Sequence, residues 1–426
     1  MARRTSALLA GMRSWSRLQR TLLGLATAGA RSAKAGTRKR KPATVKALRQ
    51  PAAPRKSASV KSAWTPPTAA KPASTRNATG SATSRRAAAT GRRTAALGMG
   101  VSEQLAFYAK PAGSTVHVRL SYTLYWPAGA PSEGVVRMPP DNGGNSARGA
   151  GAEARPGLNA NPALPLLVML HGCQQTVQEF AAGTRMNRLA DKQGFAVVYP
   201  QQARTRQAHR CWRWFAPDSR SGGREADALA LLIEDLLAKH SVLDPTRVYV
   251  AGLSAGAGMA ALLALRHPHL IAALAMHSGP VVGAADDARA GLTAMRQGSG
   301  EDPTTCVAQY APSAAAVGLP AIILHGKQDG VVAPRNARQL VQQFTFINGL
   351  NVAEPTNVVL LAQGKAQAYR RTDYVQRRKV TVRWCELDDV DHAWSGGDPA
   401  IKFHTRKGPD ATLLIWRFLS AHARSA

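Results

Sequence analysis

This chain of 426 residues lacks both long apolar segments and an even spread of charge. No apolar run approaches the roughly 18 residues of a membrane-spanning helix, which argues against an integral membrane protein. Residues 1–100 contain 22 of the 56 Lys and Arg but no Asp or Glu. The other 326 residues have 34 basic and 25 acidic side chains, a net charge of +9 that is ordinary for a soluble enzyme. The excess charge therefore belongs mainly to one tail, and the chain as a whole is not a basic nucleic-acid binder.

The same N-terminal tail is poor in large apolar side chains. Segment 31–96 consists mainly of Ala, Pro, Ser, Thr, Lys and Arg, with no sustained helical or strand period. Such a composition cannot bury enough apolar surface to offset the loss of chain entropy. We expect residues 1–97 to be a disordered basic tail and residues 98–426 to form a folded domain, in which residues 134–157 are a flexible insertion.

Four roles of the tail fit its sequence. Residues 1–20 are basic and residues 21–30 are apolar, as in an export signal within residues 1–36, although two glycines and the nearby Arg31 weaken the pattern. The abundance of Arg and Ser also fits an organelle transit peptide. The positive charge could hold nucleic acid, an anionic surface or a polymer granule. A solvated linker fits equally well, and the sequence does not select among these roles.

After the tail, apolar strands alternate with amphipathic helices. The predicted strands are 117–127, paired with a short one near 103–108, then 164–170, 195–200, 247–253, 270–278, 319–326, 369–374 and 380–387. The predicted helices are 180–192, 227–240, 255–266, 335–346 and 411–422. This alternation predicts an α/β fold, with a mostly parallel central sheet and helices on both faces. In such sheets the ligand crevice lies beyond the carboxyl ends of the strands.

One short motif indicates a nucleophile. GLSAG (252–256) has the G-x-S-x-G pattern, which alone is weak because Gly and Ser are common in the chain. Its setting makes it strong, since the predicted strand 247–253 precedes it and the predicted helix 255–266 follows. We therefore predict Ser254 as a nucleophile at the apex of a strained turn, rather than as a helix cap.

A serine hydroxyl needs an imidazole base and a carboxylate that orients the base. Asp329 follows the strand 319–326, and His392 follows the strand 380–387. The order Ser254, Asp329, His392 is the order expected when the nucleophile sits in this kind of turn. Other carboxylates stay open as alternatives to Asp329, namely Asp302, Asp388, Asp389 and Asp391.

Acyl transfer also requires hydrogen-bond donors aimed at the developing oxyanion. HGCQQT (171–176) follows a predicted strand directly, so we expect the backbone N–H groups of Cys173 and Ala255 to form the oxyanion hole. His171 then holds the turn. A metal site at His171 and Cys173 is disfavoured, because no second pair of ligands follows at the required spacing. We expect neither a metal nor a cofactor.

Tryptophans and cysteines leave open questions. CWRWF (211–215) places Trp212 and Trp214 two residues apart, where they could line a substrate pocket or pack in the core; Trp394, near the predicted base, is a third candidate for substrate binding. The four cysteines are Cys173, Cys211, Cys306 and Cys385. They allow three complete pairings, among which the sequence does not choose.

Several motifs together resemble a known family. LHGCQQ, FAAGTRMNRLA, CWRWF, YVAGLSAGAGMA and HAWSGG look like the esterases of the poly(3-hydroxybutyrate) depolymerase family, over about 60% of the chain. The resemblance implies an α/β-hydrolase fold, ester hydrolysis without a metal, and a secreted enzyme; a cytoplasmic one is the alternative. It implies Ser254 as nucleophile, Asp329 as the orienting residue, His392 as base, and Cys173 in the oxyanion turn.

The sequence therefore predicts a serine esterase that forms an acyl-enzyme. We expect hydroxyalkanoate esters or oligomers as substrates, with feruloyl or acetyl esters of plant polysaccharide as the alternative within the family. A different class is a binding protein that the tail attaches to nucleic acid or a granule, with secondary hydrolase activity. A peptidase is a third and weaker alternative. The oligomeric state is not predicted.

Overall fold

A computed structural model describes residues 98–115, 117–130, 163–216, 221–308 and 318–425 of the chain. The predicted tail (1–97) and the predicted insertion (134–157) lie outside these residues. Within the described ranges, no helix is both long enough and apolar enough to cross a membrane.

Ten strands form one sheet in the described part of the chain. They are β1 (Val101–Ala109), β2 (Val118–Trp126), β3 (Leu164–Leu170), β4 (Ala196–Gln201), β5 (Leu243–Leu253), β6 (Ala273–His277), β7 (Ala321–Gly326), β8 (Asn357–Leu361), β9 (Tyr369–Gln376) and β10 (Lys379–Leu387). Their order in the sheet is β1-β2-β4-β3-β5-β6-β7-β10-β9-β8. Six neighbouring strands are parallel to one another, namely β4, β3, β5, β6, β7 and β10. At one edge β2 and β1, and at the other edge β9 and β8, each pair antiparallel with the strand before them. The predicted mostly parallel sheet is confirmed.

Two apolar layers cover the two faces of the sheet. The helices are α1 (Val177–Thr184), α2 (Met186–Gln193), α3 (Gly222–Lys239), α4 (Ala255–Arg266), α5 (Ala288–Gln297), α6 (Pro303–Ala308), α7 (Arg335–Ile347) and α8 (Ala411–Leu419). Alternate residues of β3 face opposite layers, because successive side chains of a strand point to opposite faces. Leu166 and Val168 pack with α3, α4 and α7, and Leu167 and Met169 pack with α1, α2 and α8. Burial on both faces explains the continuous apolar run of this strand.

The prediction of one helix over residues 180–192 was wrong. Helix α1 begins at a capping box between Thr176 and Glu179 and ends at Arg185, whose left-handed backbone (φ 59°) also begins α2. The residue at the break is an arginine rather than a Gly or Pro, although Gly183 lies two residues before it. The change of direction lets Phe180 of α1 and Ala190 of α2 both pack against the same layer of the core.

Three elements were absent from the prediction. They are β8, α5 and α6. Strand β8 is an edge strand on which Val358 and Leu360 are exposed, so it lacks the buried apolar pattern of the central strands. Helix α5 lies between the fourth and fifth strands of the parallel run, in a segment where apolar residues are sparse. The central strands were predicted to within a few residues, and they determine where the candidate site lies.

Candidate active site

A tight turn joins β5 to α4 and presents a serine at its apex. Ser254 has a left-handed backbone conformation (φ 58°, ψ −121°), which is strained for any residue other than glycine. Its N–H donates to the carbonyl of His277 at 2.9 Å. A Cβ atom at Gly252 would lie 2.3 Å from the backbone of Gly256, and one at Gly256 would lie 2.1 Å from the carbonyl oxygen of Leu170. The two glycines of the motif are therefore required by close backbone approach.

The structure brings the three predicted catalytic side chains together. Nε2 of His392 lies 2.9 Å from Oγ of Ser254, and Nδ1 of His392 lies 2.8 Å from Oδ2 of Asp329. A carboxylate can only accept, so Nδ1 carries the hydrogen and the lone pair of Nε2 faces the hydroxyl of the serine. The hydroxyl can thus lose its proton to the imidazole as it attacks.

Asp329 is held as an anion in the protein interior. Its other oxygen, Oδ1, accepts from the N–H groups of Val331 and Val332, each at 2.9 Å. Burial alone would raise the pKa of this carboxyl, but the imidazoles of His392 and His325 and the N–H of Val332 outweigh it and lower the pKa to about 2. The carboxylate therefore remains ionised at any pH at which the enzyme would work. The exposed carboxylate of Asp388 instead pairs with Lys327 at the surface.

Two further histidines pack around this site, and the sequence analysis missed both. Nε2 of His325 donates to the carbonyl of Val332 at 2.8 Å and lies 3.4 Å from Oδ2 of Asp329. His277 ends β6, and its Nε2 accepts from the N–H of Ser395 at 3.2 Å. Each is a single histidine near the end of a strand that is otherwise apolar. A polar side chain in such a position could have pointed to the site from the sequence.

A second turn lies beside the serine. His171 is fully buried; its Nδ1–H donates to the carbonyl of Gly172 at 2.7 Å, and its Nε2 accepts from the side chain of Gln201 at 2.8 Å. Burial lowers the pKa of His171 to about 4, so the ring is neutral. The N–H of Gly172 donates to Oε1 of Gln175 at 2.8 Å. These bonds fix the turn. The turn packs against the serine, since a Cβ on Gly172 would lie 3.5 Å from the Cβ of Ser254.

A disulfide fastens this turn to the next segment of the chain. Cys173 is bonded to Cys211, while Cys306 and Cys385 are free and buried. Beside it, the N–H of Gln174 donates to the carbonyl of His209 at 2.7 Å. The structure thus has one of the possible bonds but none of the three complete pairings, because Cys306 and Cys385 stay free, and that bond lies at the predicted oxyanion turn.

The two residues predicted to supply the oxyanion hole lie in the turn beside the serine and at the start of the helix that follows it. Cys173 is in the turn that contacts Ser254, and Ala255 is the first residue of α4. The first N–H groups of a helix have no partner within the helix, so the N–H of Ala255 is available to an anion. Both residues line one small cavity. The described residues contain no cluster of three His, Cys, Asp or Glu side chains that could hold a metal ion.

The three tryptophans predicted to bind substrate are all buried. Trp212 is fully buried, with its ring 5.7 Å from that of His171. Trp394 is also fully buried; its indole N–H donates to Thr412 at 3.0 Å, and its ring stacks on His277 at 5.2 Å. Both indole rings are packed in the core of the described structure. Trp214 alone among the three lines the cavity beside Cys173 and Ala255.

Comparisons of sequence identify the relatives of this chain. The family described as Esterase PHB depolymerase matches residues 152–359. Poly(3-hydroxyalkanoate) depolymerase C of Paucimonas lemoignei is 36% identical over 46% of this chain, but the match spans only 47% of that protein. Feruloyl esterase B of Thermothelomyces thermophilus is 30% identical over 47% of this chain and 71% of its own length.

A solved structure supports the fold. The acetyl xylan esterase from Aspergillus awamori superposes with a TM-score of 0.56 and 16% identity, over 75% of this chain and 99% of that one. Identity this low is evidence for the fold alone. The predicted α/β-hydrolase fold is confirmed.

Proposed function

The chain belongs to the Esterase PHB depolymerase family, and from this membership we propose that it hydrolyses carboxylic esters with Ser254, His392 and Asp329 as its catalytic residues. One geometric relation carries the proposal: a serine hydroxyl at a strained turn lies 2.9 Å from an imidazole whose other nitrogen lies 2.8 Å from a buried carboxylate. This arrangement is what activation of a serine nucleophile requires.

The reaction then proceeds in two halves. Oγ of Ser254 attacks the ester carbonyl while Nε2 of His392 takes its proton, and the N–H groups of Cys173 and Ala255 stabilise the oxyanion. The tetrahedral intermediate collapses as His392 returns the proton to the leaving alcohol, which leaves an acyl-enzyme. Water attacks the acyl carbon, gives a proton to His392, and releases the acid as the serine recovers its hydrogen.

Substitution of the serine tests this assignment. In Ser254→Ala, kcat for p-nitrophenyl butyrate should fall by about 10⁶-fold, because no other nucleophile occupies the turn. Ser420→Ala, at an exposed position after α8, is the matched control and should retain wild-type kcat. Thermal unfolding should show that both variants are folded. Wild-type turnover by folded Ser254→Ala would refute the proposal.

For the substrate, we propose esters or oligomers of hydroxyalkanoates. The support is the 36% identity to a poly(3-hydroxyalkanoate) depolymerase. Feruloyl esters are the second candidate, supported by 30% identity to a feruloyl esterase over most of its length. Ranking kcat/KM for hydroxybutyrate oligomers, methyl ferulate and acetylated xylan separates the two. A preference for methyl ferulate would overturn the first choice.

We also propose that the enzyme works in an oxidising compartment after export. The Cys173–Cys211 disulfide supports this location, because such bonds persist mainly outside the cytosol. The composition of residues 1–97 supports a second role, adhesion to an anionic surface. Binding to anionic lipid vesicles that weakens with salt, and that is lost when the tail arginines are replaced by glutamine, would support adhesion. Salt-independent binding would refute it.

A further inference from the structure

A small cavity adjoins the oxyanion turn. It is lined by Cys173 and Ala255, by the segment that contains Cys211, Trp214 and Phe215, and by helix α5. The Cys173–Cys211 bond belongs to the wall, so the cavity and the N–H group of Cys173 are held by the same covalent link. Ala255 directly follows Ser254 in the chain, so the cavity adjoins the turn of the nucleophile.

The chemistry decides which half of an ester enters this cavity. The oxygen of the leaving alcohol must lie near Nε2 of His392, because that nitrogen returns the proton. His392 is not among the residues that line the cavity, whereas Cys173 and Ala255, whose N–H groups would hold the carbonyl oxygen, are. With the carbonyl oxygen between these N–H groups, the cavity lies on the acyl side of the ester.

The walls of the cavity are apolar and closely packed. Trp214 and Phe215 meet edge to face at 5.8 Å, and Leu292 and Met295 of α5 line the same cavity. Phe215 contacts Gly291 so closely that a Cβ there would lie 2.9 Å from it. The volume open to the centre of a water molecule is about 30 Å³, far below the roughly 300–1,000 Å³ of pockets that hold drug-sized ligands. Only a short acyl chain fits such a space.

One polar side chain interrupts these apolar walls. Oε1 of Gln207 accepts from the N–H groups of His209 and Cys211, at 2.6 Å and 3.3 Å. Its oxygen is thereby fixed, and in the described part of the chain its Nε2 has no acceptor within hydrogen-bond distance. Gln207 lines the cavity, so an amide donor is available to whatever enters. An aliphatic acyl chain that carries an oxygen would satisfy this donor.

We infer that this cavity is an acyl pocket in which Trp214, Phe215, Leu292 and Met295 restrict the acyl chain to a short aliphatic one, and in which Nε2 of Gln207 donates to an oxygen on that chain. This inference rests on the proposed esterase function. It assigns the choice of acyl group to the segments 207–215 and 288–297, and it excludes aromatic acyl groups such as the feruloyl group.

Chain length tests the apolar walls. We expect kcat/KM for p-nitrophenyl esters to peak between acetate and butyrate and to be at least about tenfold lower for octanoate. Leu292→Ala and Met295→Ala should each raise the octanoate-to-butyrate ratio about tenfold, since one methylene in a pocket changes specificity by about 10- to 200-fold. Leu236→Ala, in the core of α3, is the matched control and should leave the ratio unchanged. Because a ratio is measured, partial loss of folded enzyme does not affect it.

Gln207→Glu tests the polar contact. The substituted side chain keeps an oxygen for the two N–H groups of the loop but lacks the amide donor. The ratio of kcat/KM for p-nitrophenyl 3-hydroxybutyrate to that for p-nitrophenyl butyrate should fall about tenfold in Gln207→Glu and in Gln207→Met. An unchanged ratio in both variants would overturn the role of Gln207. Equal activity of the wild type on all chain lengths would overturn the pocket, while leaving the Ser254 test of the esterase function intact.

Discussion

Nε2 of His277 lies 3.2 Å from the amide nitrogen of Ser395 and accepts its hydrogen. The carbonyl oxygen of His277 also accepts from the N–H of Ser254 at 2.9 Å. One residue at the end of β6 therefore contacts both the turn of the nucleophile and the loop that carries His392. Because Nε2 accepts, Nδ1 carries the hydrogen and faces Oγ of Ser278 at 3.1 Å. Burial lowers the pKa of His277 to about 3, which keeps the ring neutral.

Loss of this acceptor should reduce activity without removing any reacting group. His277→Phe can keep the stacking on Trp394 but leaves the N–H of Ser395 unpaired, which should lower the free energy of unfolding by about 1–3 kcal/mol. We expect kcat to fall about 10- to 100-fold because the loop shifts, with KM nearly unchanged. Steady-state kinetics and urea unfolding measure the two effects. A variant with normal kcat would show that His277 does not position His392.

The orienting carboxylate is the subject of a second prediction. Asp329→Asn should reduce kcat about 10⁴-fold, because an amide can donate to Nδ1 and stabilise the wrong tautomer of His392. Asp388→Asn, which removes only a surface ion pair with Lys327, should keep wild-type kcat. Assays with p-nitrophenyl butyrate compare the two variants. Equal losses in both, or none in Asp329→Asn, would contradict the assignment.

Stability should decrease at mildly acidic pH. Burial lowers the pKa of His277 to about 3 and that of His404 to about 4. Between these values and the ordinary value of about 6.5, the unfolded chain binds protons that the folded chain does not. The free energy of unfolding should therefore fall as the pH decreases from about 6.5 toward 4, by about 1.4 kcal/mol per pH unit for each such histidine.

Urea unfolding between pH 4 and pH 7 measures this slope. His404→Asn removes one of the histidines and can keep a donor for the carbonyl of Lys402, to which Nδ1 of His404 donates at 2.9 Å. The slope of its free energy of unfolding against pH should be smaller than that of the wild type by the equivalent of about one proton, or about 1.4 kcal/mol per pH unit. Identical slopes would mean that His404 does not contribute.

Reduction of the disulfide should impair both stability and catalysis. Breaking the Cys173–Cys211 bond should lower the free energy of unfolding by about 2–4 kcal/mol and should lower kcat, because the N–H of Cys173 loses its covalent anchor. Cys385→Ala should respond to the reductant as the wild type does, since Cys385 is buried and unpaired. Burial raises the pKa of the Cys385 thiol to about 12, which leaves it unreactive. Full activity of the reduced protein would contradict this prediction.

The sequence analysis predicted the parallel sheet and placed Ser254, Asp329 and His392 at one edge of it. This was feasible because each residue follows a strong apolar strand, and the carboxyl ends of parallel strands meet at one edge. The positions of these three residues, each just after a parallel strand, therefore predicted that their side chains lie close together in the fold. The motif GLSAG added the local turn, since its glycines allow close backbone contact.

Other features could not be read from the sequence, because they depend on contacts between distant segments. The acceptor role of His277 depends on a loop 118 residues later along the chain. The disulfide required knowledge of which loops meet, since four cysteines allow several pairings. The packing of Trp212 and Trp394 could not be distinguished from a role at the surface, because tryptophan suits both environments.

The residues proposed to react lie at the ends of sheet strands, whereas the walls of the cavity come from a loop and a helix outside the sheet. Substitutions in segments 207–215, apart from the disulfide-bonded Cys211, and 288–297 can therefore change which acid is released without moving Ser254, His392 or Asp329. A library confined to these two segments offers a practical route to redesigning the enzyme for new esters, and its members would inherit unaltered chemistry.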